Sequence, residues 1–195
     1  MKDDCYYEEG QYRFRTREEY FDDKADRIFR ILDTDGSGSI TAEDFMSVAQ
    51  RVVDAFGLPA KSAQARRVNQ AARDFWTRLS TAVDTDRDGT LTREEFAVVS
   101  RGHLLGGTSP VARSAEEWVD AIVSAADTDH DDVLSEDEYT RLLRAFGSPE
   151  GGIRLIIDHM VGADGTVATD RARLAFLGAY TTDVPVKRNP ALAGV

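Results

Sequence analysis

Cysteine is nearly absent from this chain: Cys5 stands alone among 195 residues, so no internal disulfide can staple the fold and no oxidising compartment is needed. Positive charge is scarce as well. Lys and Arg number 24 against 35 Asp and Glu, a formal net charge of −11, whereas nucleic-acid binding by counterion release needs clustered Lys and Arg. Long hydrophobic runs are missing. The opening MKDDCYYEEG has no apolar stretch after its basic residue, and no window approaches the roughly 20 apolar residues of a bilayer crossing. A cytoplasmic protein, neither secreted nor inserted, is expected. Lys2 after Met1 and a closing LAGV signal neither an N-myristoyl nor a prenyl anchor. Enzyme signatures are lacking too: there is no phosphate-cradling glycine loop, no nucleophile elbow and no HExxH helix, so no catalytic residue and no enzyme activity is expected.

What is abundant is acid, and it is periodic. Three windows align on their first aspartates: DTDGSGSITAED (33–44), DTDRDGTLTREE (84–95) and DTDHDDVLSEDE (127–138). Each opens with DTD. Each has an aliphatic at position eight (Ile40, Leu91, Leu134), a hydroxyl residue at position nine (Thr41, Thr92, Ser135) and an acid at position twelve. A single DxD turn is ordinarily a solvated helix start. Three in register point to one repeated chemistry.

Calcium is a hard cation that takes six to eight oxygens, and a twelve-residue loop can wrap it with side chains at positions one, three and five, a carbonyl at seven and a bidentate carboxylate at twelve. The first loop offers Asp33, Asp35, Ser37, the Ser39 carbonyl and Asp44. The second offers Asp84, Asp86, Asp88, the Thr90 carbonyl and Glu95. The third offers Asp127, Asp129, Asp131, the Val133 carbonyl and Glu138. Position six must reverse the chain, hence Gly38 and Gly89. The third loop places Asp132 there, and a β-carbon in the left-handed region costs about 1 to 2 kcal/mol, least for Asp and Asn, or roughly tenfold in affinity. Four carboxylates whose repulsion a divalent ion relieves outweigh that cost, so the third loop is expected to bind. His130, at position four, is expected to face solvent.

The flanks read as helix, loop, helix. Thr16 and Glu19 have capping-box spacing, and Phe21, Ala25, Ile28, Phe29 and Leu32 share a helical face. Phe45, Val48, Val52, Val53 and Phe56 make the next face, ended by Gly57 and Pro59. Val68, Ala72, Phe75, Leu79 and Val83 enter the second loop; Phe96 and Val99 leave it. Ser114 and Glu117 predict the cap of the third unit, which continues through Trp118, Ile122 and Ala125, then Tyr139, Leu142, Leu143 and Phe146 beyond the loop.

Such helix pairs need partners for their apolar faces, so a fourth unit is expected after residue 150. Ile153, Ile156 and Ile157 suggest its entering helix; Leu174, Phe176, Leu177 and Tyr180 suggest its exit helix. MVGADGTVATDR (160–171) sits between them, with Gly165 at six and Val167 at eight. Its ligand positions are gone: Met160 stands at one, Gly162 at three and cationic Arg171 at twelve. This unit is read as structural.

These loops resemble EF-hands, the second matching D-x-D-x-D-G-x5-E in full. Four hands, one degenerate, with loops starting unevenly at 33, 84 and 127, are similar to the sarcoplasmic calcium-binding proteins and the calerythrin-like proteins of prokaryotes. The resemblance implies an all-α chain of four helix-loop-helix units in two pairs, with short antiparallel ladders between paired loops. It divides the chain into an N-terminal extension (1–16), a first pair (17–105), a linker around Gly106 and Gly107 (106–113), a second pair (114–180) and a tail (181–195).

The function it implies is intracellular calcium buffering or signal modulation by a monomer holding three calcium ions, without nucleic-acid or membrane partners. Asp44, shorter than Glu, should leave the first site weaker for calcium and more tolerant of magnesium. An alternative is a sensor that exposes an apolar surface to a specific protein partner, although 3 Met give little of the flexible groove that promiscuous sensors use. Calcium-triggered photoproteins and luciferin-binding proteins share the general architecture. With only 3 His and 2 Trp and no local cluster of His, Trp and Tyr, that reading is the less favoured.

Overall fold

Each helix-loop-helix unit buries one face of two helices, and the units share a single hydrophobic core. The computed structural model describes the backbone of residues 5–8, 11–14, 17–102 and 108–181, and the side chains of 25–98 and 108–178. Thr16, Glu19, Phe21, Val99, Tyr180, the Gly106–Gly107 pair and the tail after 181 lie outside the described residues or side chains.

Along the described chain run β1 (Cys5–Glu8), β2 (Gln11–Phe14), α1 (Arg17–Leu32), α2 (Ala42–Ala55), α3 (Ala63–Val83), α4 (Arg93–Gly102), α5 (Pro110–Ala126), β3 (Val133–Ser135), α6 (Glu136–Phe146), α7 (Glu150–Met160), β4 (Thr166–Ala168) and α8 (Thr169–Thr181). The fold is all-α apart from two small antiparallel pairs. One of them, β1 with β2, forms a hairpin in the extension, where the sequence carried no readable motif.

The expected ladders are present and in the expected register. Ile40 and Leu91, both at position eight, exchange backbone hydrogen bonds of 2.9 and 2.8 Å. In β3–β4 Leu134 faces Val167. That pairing fixes the register of the degenerate fourth loop, since Val167 falls at position eight only if Met160 is at one.

The predicted apolar faces are largely buried. Phe29, Phe45, Val68, Phe75, Leu79, Trp118, Ile122, Tyr139, Leu142 and Ile156 are all within the core. Phe45 meets Phe75 edge-on at 5.3 Å and Phe29 meets Phe96 at 5.9 Å, which ties the two hands of the first pair together. Phe146 and Phe176 do the same in the second pair at 5.3 Å. The pairs are joined along α3 and α5, where the Gln64 amide donates to the Ser124 carbonyl at 2.8 Å. Asp120 on α5 receives both Arg67 of α3 and Arg173 of α8.

Two expectations are corrected. The third unit begins before Ser114: α5 starts at Pro110, capped by the Ser109 hydroxyl, which accepts from the Ala112 N–H at 3.0 Å. Ser109 followed by Pro110 at the first helical turn is the stronger start signal, because proline lacks the N–H that a helix leaves unpaired there. Ser114 instead donates to the Val111 carbonyl from inside the helix. Leu174 is 70% exposed, on the outer side of α8, while Ala172, Ala175 and Phe176 face inward.

Candidate metal centres

Each acidic loop is held open by its own backbone kinks. Positions four and six take positive φ in all three: Gly36 and Gly38, Arg87 and Gly89, His130 and Asp132. His130, at position four, is exposed as expected, and Asp132 sits at φ 65°. Two left-handed residues separated by one fold the carboxylates of positions one, three and five toward a common point.

Three carboxylates come together in each loop. Carboxylate oxygens of Asp84, Asp86 and Asp88 lie within 4.8 Å of one another, as do those of Asp127, Asp129 and Asp131; in the first loop the group is Asp33, Asp35 and Asp44. Turn hydrogen bonds fix their directions. Asp33 accepts from the N–H groups of Ser37 (2.9 Å) and Gly38 (3.0 Å), Asp84 from Gly89 (3.1 Å) and Asp127 from Asp131 (3.2 Å). The Ser37 hydroxyl lies 3.0 Å from the Ser39 carbonyl, so positions five and seven of the first loop are adjacent. The donor set is oxygen throughout, with neither His nor Cys, which suits calcium or magnesium rather than zinc or copper.

One atom tests the fit directly. Asp84 Oδ1 is buried and has no hydrogen-bond donor among the described residues, although it belongs to a carboxylate crowded by Asp86 and Asp88. An unpaired buried carboxylate oxygen beside like charges is costly. A divalent cation held by Asp84, Asp86, Asp88, Glu95 and the Thr90 carbonyl removes that cost, so the residues present fit calcium.

The position-twelve carboxylates are caught between two loop residues, and here the sequence reading missed something. Glu95 Oε1 accepts from both the N–H and the hydroxyl of Thr85 at 2.9 Å, while Oε2 accepts from the N–H (3.0 Å) and hydroxyl (2.9 Å) of Thr92. Asp44 is held in the same way by Thr34 and Thr41, all four bonds being 2.8 Å. Glu138 is held by Thr128 and Ser135. The position-nine partners were visible only as a repeated hydroxyl residue. Position two was visible only as the T of three DTD triplets, a repeat to which no role was given.

These bonds favour the ionised form. The backbone N–H groups of Thr92 and Thr85 bring the Glu95 carboxyl down to about 2. Burial pushes Glu138 upward, but hydrogen bonds from Thr128 and Ser135 overcome it and leave it also at about 2. Asp44 is lowered against its own burial by Thr34 and Thr41.

The fourth loop closes on its own backbone. The Gly162 N–H, at position three, donates to the Thr166 carbonyl of position seven at 2.9 Å, and Gly165 donates back to Gly162 at 3.0 Å. Arg171 donates to the His159 carbonyl at 3.2 Å. Ala163, at position four, lacks the positive φ found in the other loops, and Gly165 alone keeps it, at position six. Among the described residues, no acidic group of three forms here.

The EF-hand domain pair family matches the chain over residues 22–97 and again over 81–144. The chain belongs to the EF-hand family. It is 31% identical to calerythrin of Saccharopolyspora erythraea over 78 residues, 40% of this chain and 44% of calerythrin, so the match spans less than half of that relative. A Streptomyces coelicolor calcium-binding protein, solved for its role in prokaryotic calcium-mediated regulation, is 30% identical, with a TM-score of 0.68 over 83% of this chain and 98% of that one. The fold alone is shared with two more distant proteins. A coelenterazine-binding protein from Renilla muelleri is 20% identical, with a TM-score of 0.59 over 91% and 97% of the two chains. An amphioxus sarcoplasmic calcium-binding protein is 16% identical, with a TM-score of 0.59 over 85% and 92%. Calcium binding is the property of this family. No helix among the described residues is long and apolar enough to cross a membrane.

Proposed function

We propose that this EF-hand protein binds calcium at its first three loops and acts as a monomeric calcium buffer or signal modulator. The ligands are Asp33, Asp35, Ser37, the Ser39 carbonyl and Asp44; Asp84, Asp86, Asp88, the Thr90 carbonyl and Glu95; and Asp127, Asp129, Asp131, the Val133 carbonyl and Glu138. The observation that carries this is the convergence of three aspartate groups within 4.8 Å, one of them holding an orphaned buried oxygen. The chain's own part is to fold the loops so that these oxygens meet, and to keep Asp44, Glu95 and Glu138 ionised. The fourth hand supplies a ladder partner and core contacts.

Buffering is supported by how little apolar surface is poised for release. The core is continuous through both pairs, and among the described residues the exposed large hydrophobics are the scattered Val98, Leu155 and Leu174. Equilibrium dialysis or titration calorimetry tests the reading: three calcium ions per chain are expected, and two for Glu138→Gln. Protein recovered empty from millimolar calcium would end it.

A second reading, a sensor, draws on an open groove of about 1040 Å³ between α2 and α3, lined by Met46, Gln50, Arg66, Gln70 and Arg73 among others. Because α2 is the exit helix of the first loop, a change at Asp44 has a direct path to this groove. A rise in hydrodynamic radius or dye binding with calcium supports the sensor; constant values support the buffer.

A further inference from the structure

The DTD triplet of each loop contains a residue that no ligand scheme uses. Position two is threonine three times over, and its hydroxyl always points to the same place, one oxygen of the position-twelve carboxylate. A carboxylate has about four lone-pair sites, two on each oxygen. In Asp44, Glu95 and Glu138 all four are taken, two by backbone N–H groups and two by hydroxyls.

A grip on a cation through both oxygens needs one free site on each, so one donor must let go of each oxygen. The N–H groups are fixed by the loop backbone, whereas a hydroxyl turns about a single bond. The position-nine hydroxyl is engaged a second time, because its oxygen accepts the N–H of residue twelve, at 3.3 Å in each loop. The position-two hydroxyl makes no other hydrogen bond among the described residues. A two-oxygen grip therefore needs this hydroxyl to release as well as the one at position nine, whereas a one-oxygen grip needs only one of the two.

We propose that Thr34, Thr85 and Thr128 are hydroxyl latches on the position-twelve carboxylates, opposing the two-oxygen grip that calcium uses more than the one-oxygen grip that satisfies six-coordinate magnesium. They are positioning residues. Each holds Asp44, Glu95 or Glu138 in place when the loop is empty of metal, and each sets back calcium affinity and calcium preference in its own loop. The inference rests on the calcium-binding reading above.

The test uses the full chain carrying Thr85→Val, Thr128→Val or the corresponding Ser substitutions. Calcium alone, and separately magnesium alone, is titrated while the amide resonances of Gly89 and Asp132 report each loop. Each Val variant is expected to bind calcium about three- to tenfold more tightly at its own loop, since a hydrogen bond to a charged group is lost only from the metal-free side. Its magnesium affinity should change less, and its melting temperature should fall in chelator but not in calcium. The Ser variants should match the parent. Unchanged or weaker calcium binding at the altered loop, equal gains for both metals, or Ser variants that behave like Val would each overturn the latch. A parent protein that takes up no calcium at all removes the functional reading itself, and is told apart by that control. Should Thr128→Val fail to fold, Thr85→Val, at an exposed position, carries the test.

Discussion

Leu134 and Val167 stand directly opposite each other in the β3–β4 ladder, one from a loop crowded with carboxylates and one from a loop that has lost them. Both are buried, at 0% and 1% exposure. The Asp132 carbonyl accepts from both the N–H (3.0 Å) and hydroxyl (3.1 Å) of Thr169, and the Glu136 N–H donates to the Gly165 carbonyl at 3.0 Å. The loop without carboxylate ligands is thus the splint of the carboxylate-rich one.

Weakening the splint should weaken the site. Val167→Ala removes two buried methyl groups and is expected to cost about 1 to 3 kcal/mol of stability in chelator. Calcium affinity at the third loop should fall, while the first and second loops, paired through Ile40 and Leu91, keep theirs. Site-resolved amide shifts during a calcium titration check both parts.

Asp132→Gly tests the strain at position six. The residue holds φ 65° with a β-carbon, where Gly38 and Gly89 hold 87° and 84° without one. Its backbone bonds to Thr169 survive the change. Relief of about 1 kcal/mol is expected, seen as a gain in stability by denaturant unfolding in chelator.

Most of the loop architecture could be read from spacing because EF-hand loops are local objects, with acidic residues and kinks inside one twelve-residue window. The eighth-position pairs Ile40–Leu91 and Leu134–Val167 follow from the same register, and so does the closure of the fourth loop around Gly165. What escaped was relational. The outward turn of Leu174 depends on how α8 lies against α5, and Asp120 joins Arg67 to Arg173 across residues far apart in sequence. Ser109 and Ser114 both open a serine-led helix pattern, and only the proline after Ser109 separates them. The role of Thr34, Thr85 and Thr128 needed the position of a carboxylate ten residues away.

The first loop should be the magnesium-tolerant one. Asp44 sits within its own acidic group, yet its side chain is one methylene shorter than Glu95 or Glu138. Asp44→Glu is expected to raise calcium affinity at the first loop and lower its magnesium affinity, bringing it toward the second. Calcium titration with and without millimolar magnesium checks this; equal affinities at the first and second loops of the parent in magnesium would contradict it.

Acid should loosen the metal-free protein in a defined window. Glu95 and Glu138 fall from an ordinary value of 4.5 to about 2 on folding. A depressed folded value means that each contributes stability in full above about pH 5, and that this is lost as pH falls through 4.5 toward 2. Thermal melts in chelator from pH 7 down to 2.5 should therefore be level with respect to these groups and then decline. The Glu95→Gln and Glu138→Gln chains should decline less.

Tyr139 follows Glu138 directly and is fully buried, yet its hydroxyl has no hydrogen-bond partner among the described residues, and burial raises its pKa above the usual phenol range. The ring is well used, meeting Phe176 edge-on at 6.4 Å, so the packing and the polar atom pull in opposite directions. Removing the oxygen keeps the ring and ends the desolvation cost. Tyr139→Phe is thus expected to leave stability unchanged or raise it by about 1 kcal/mol, and Tyr139→Ala to lose about 3 to 5 kcal/mol through the cavity it leaves. Denaturant unfolding in chelator measures both. A large loss in Tyr139→Phe would mean that the hydroxyl is bonded in solution, to water or to a group brought near it when α6 and α8 move.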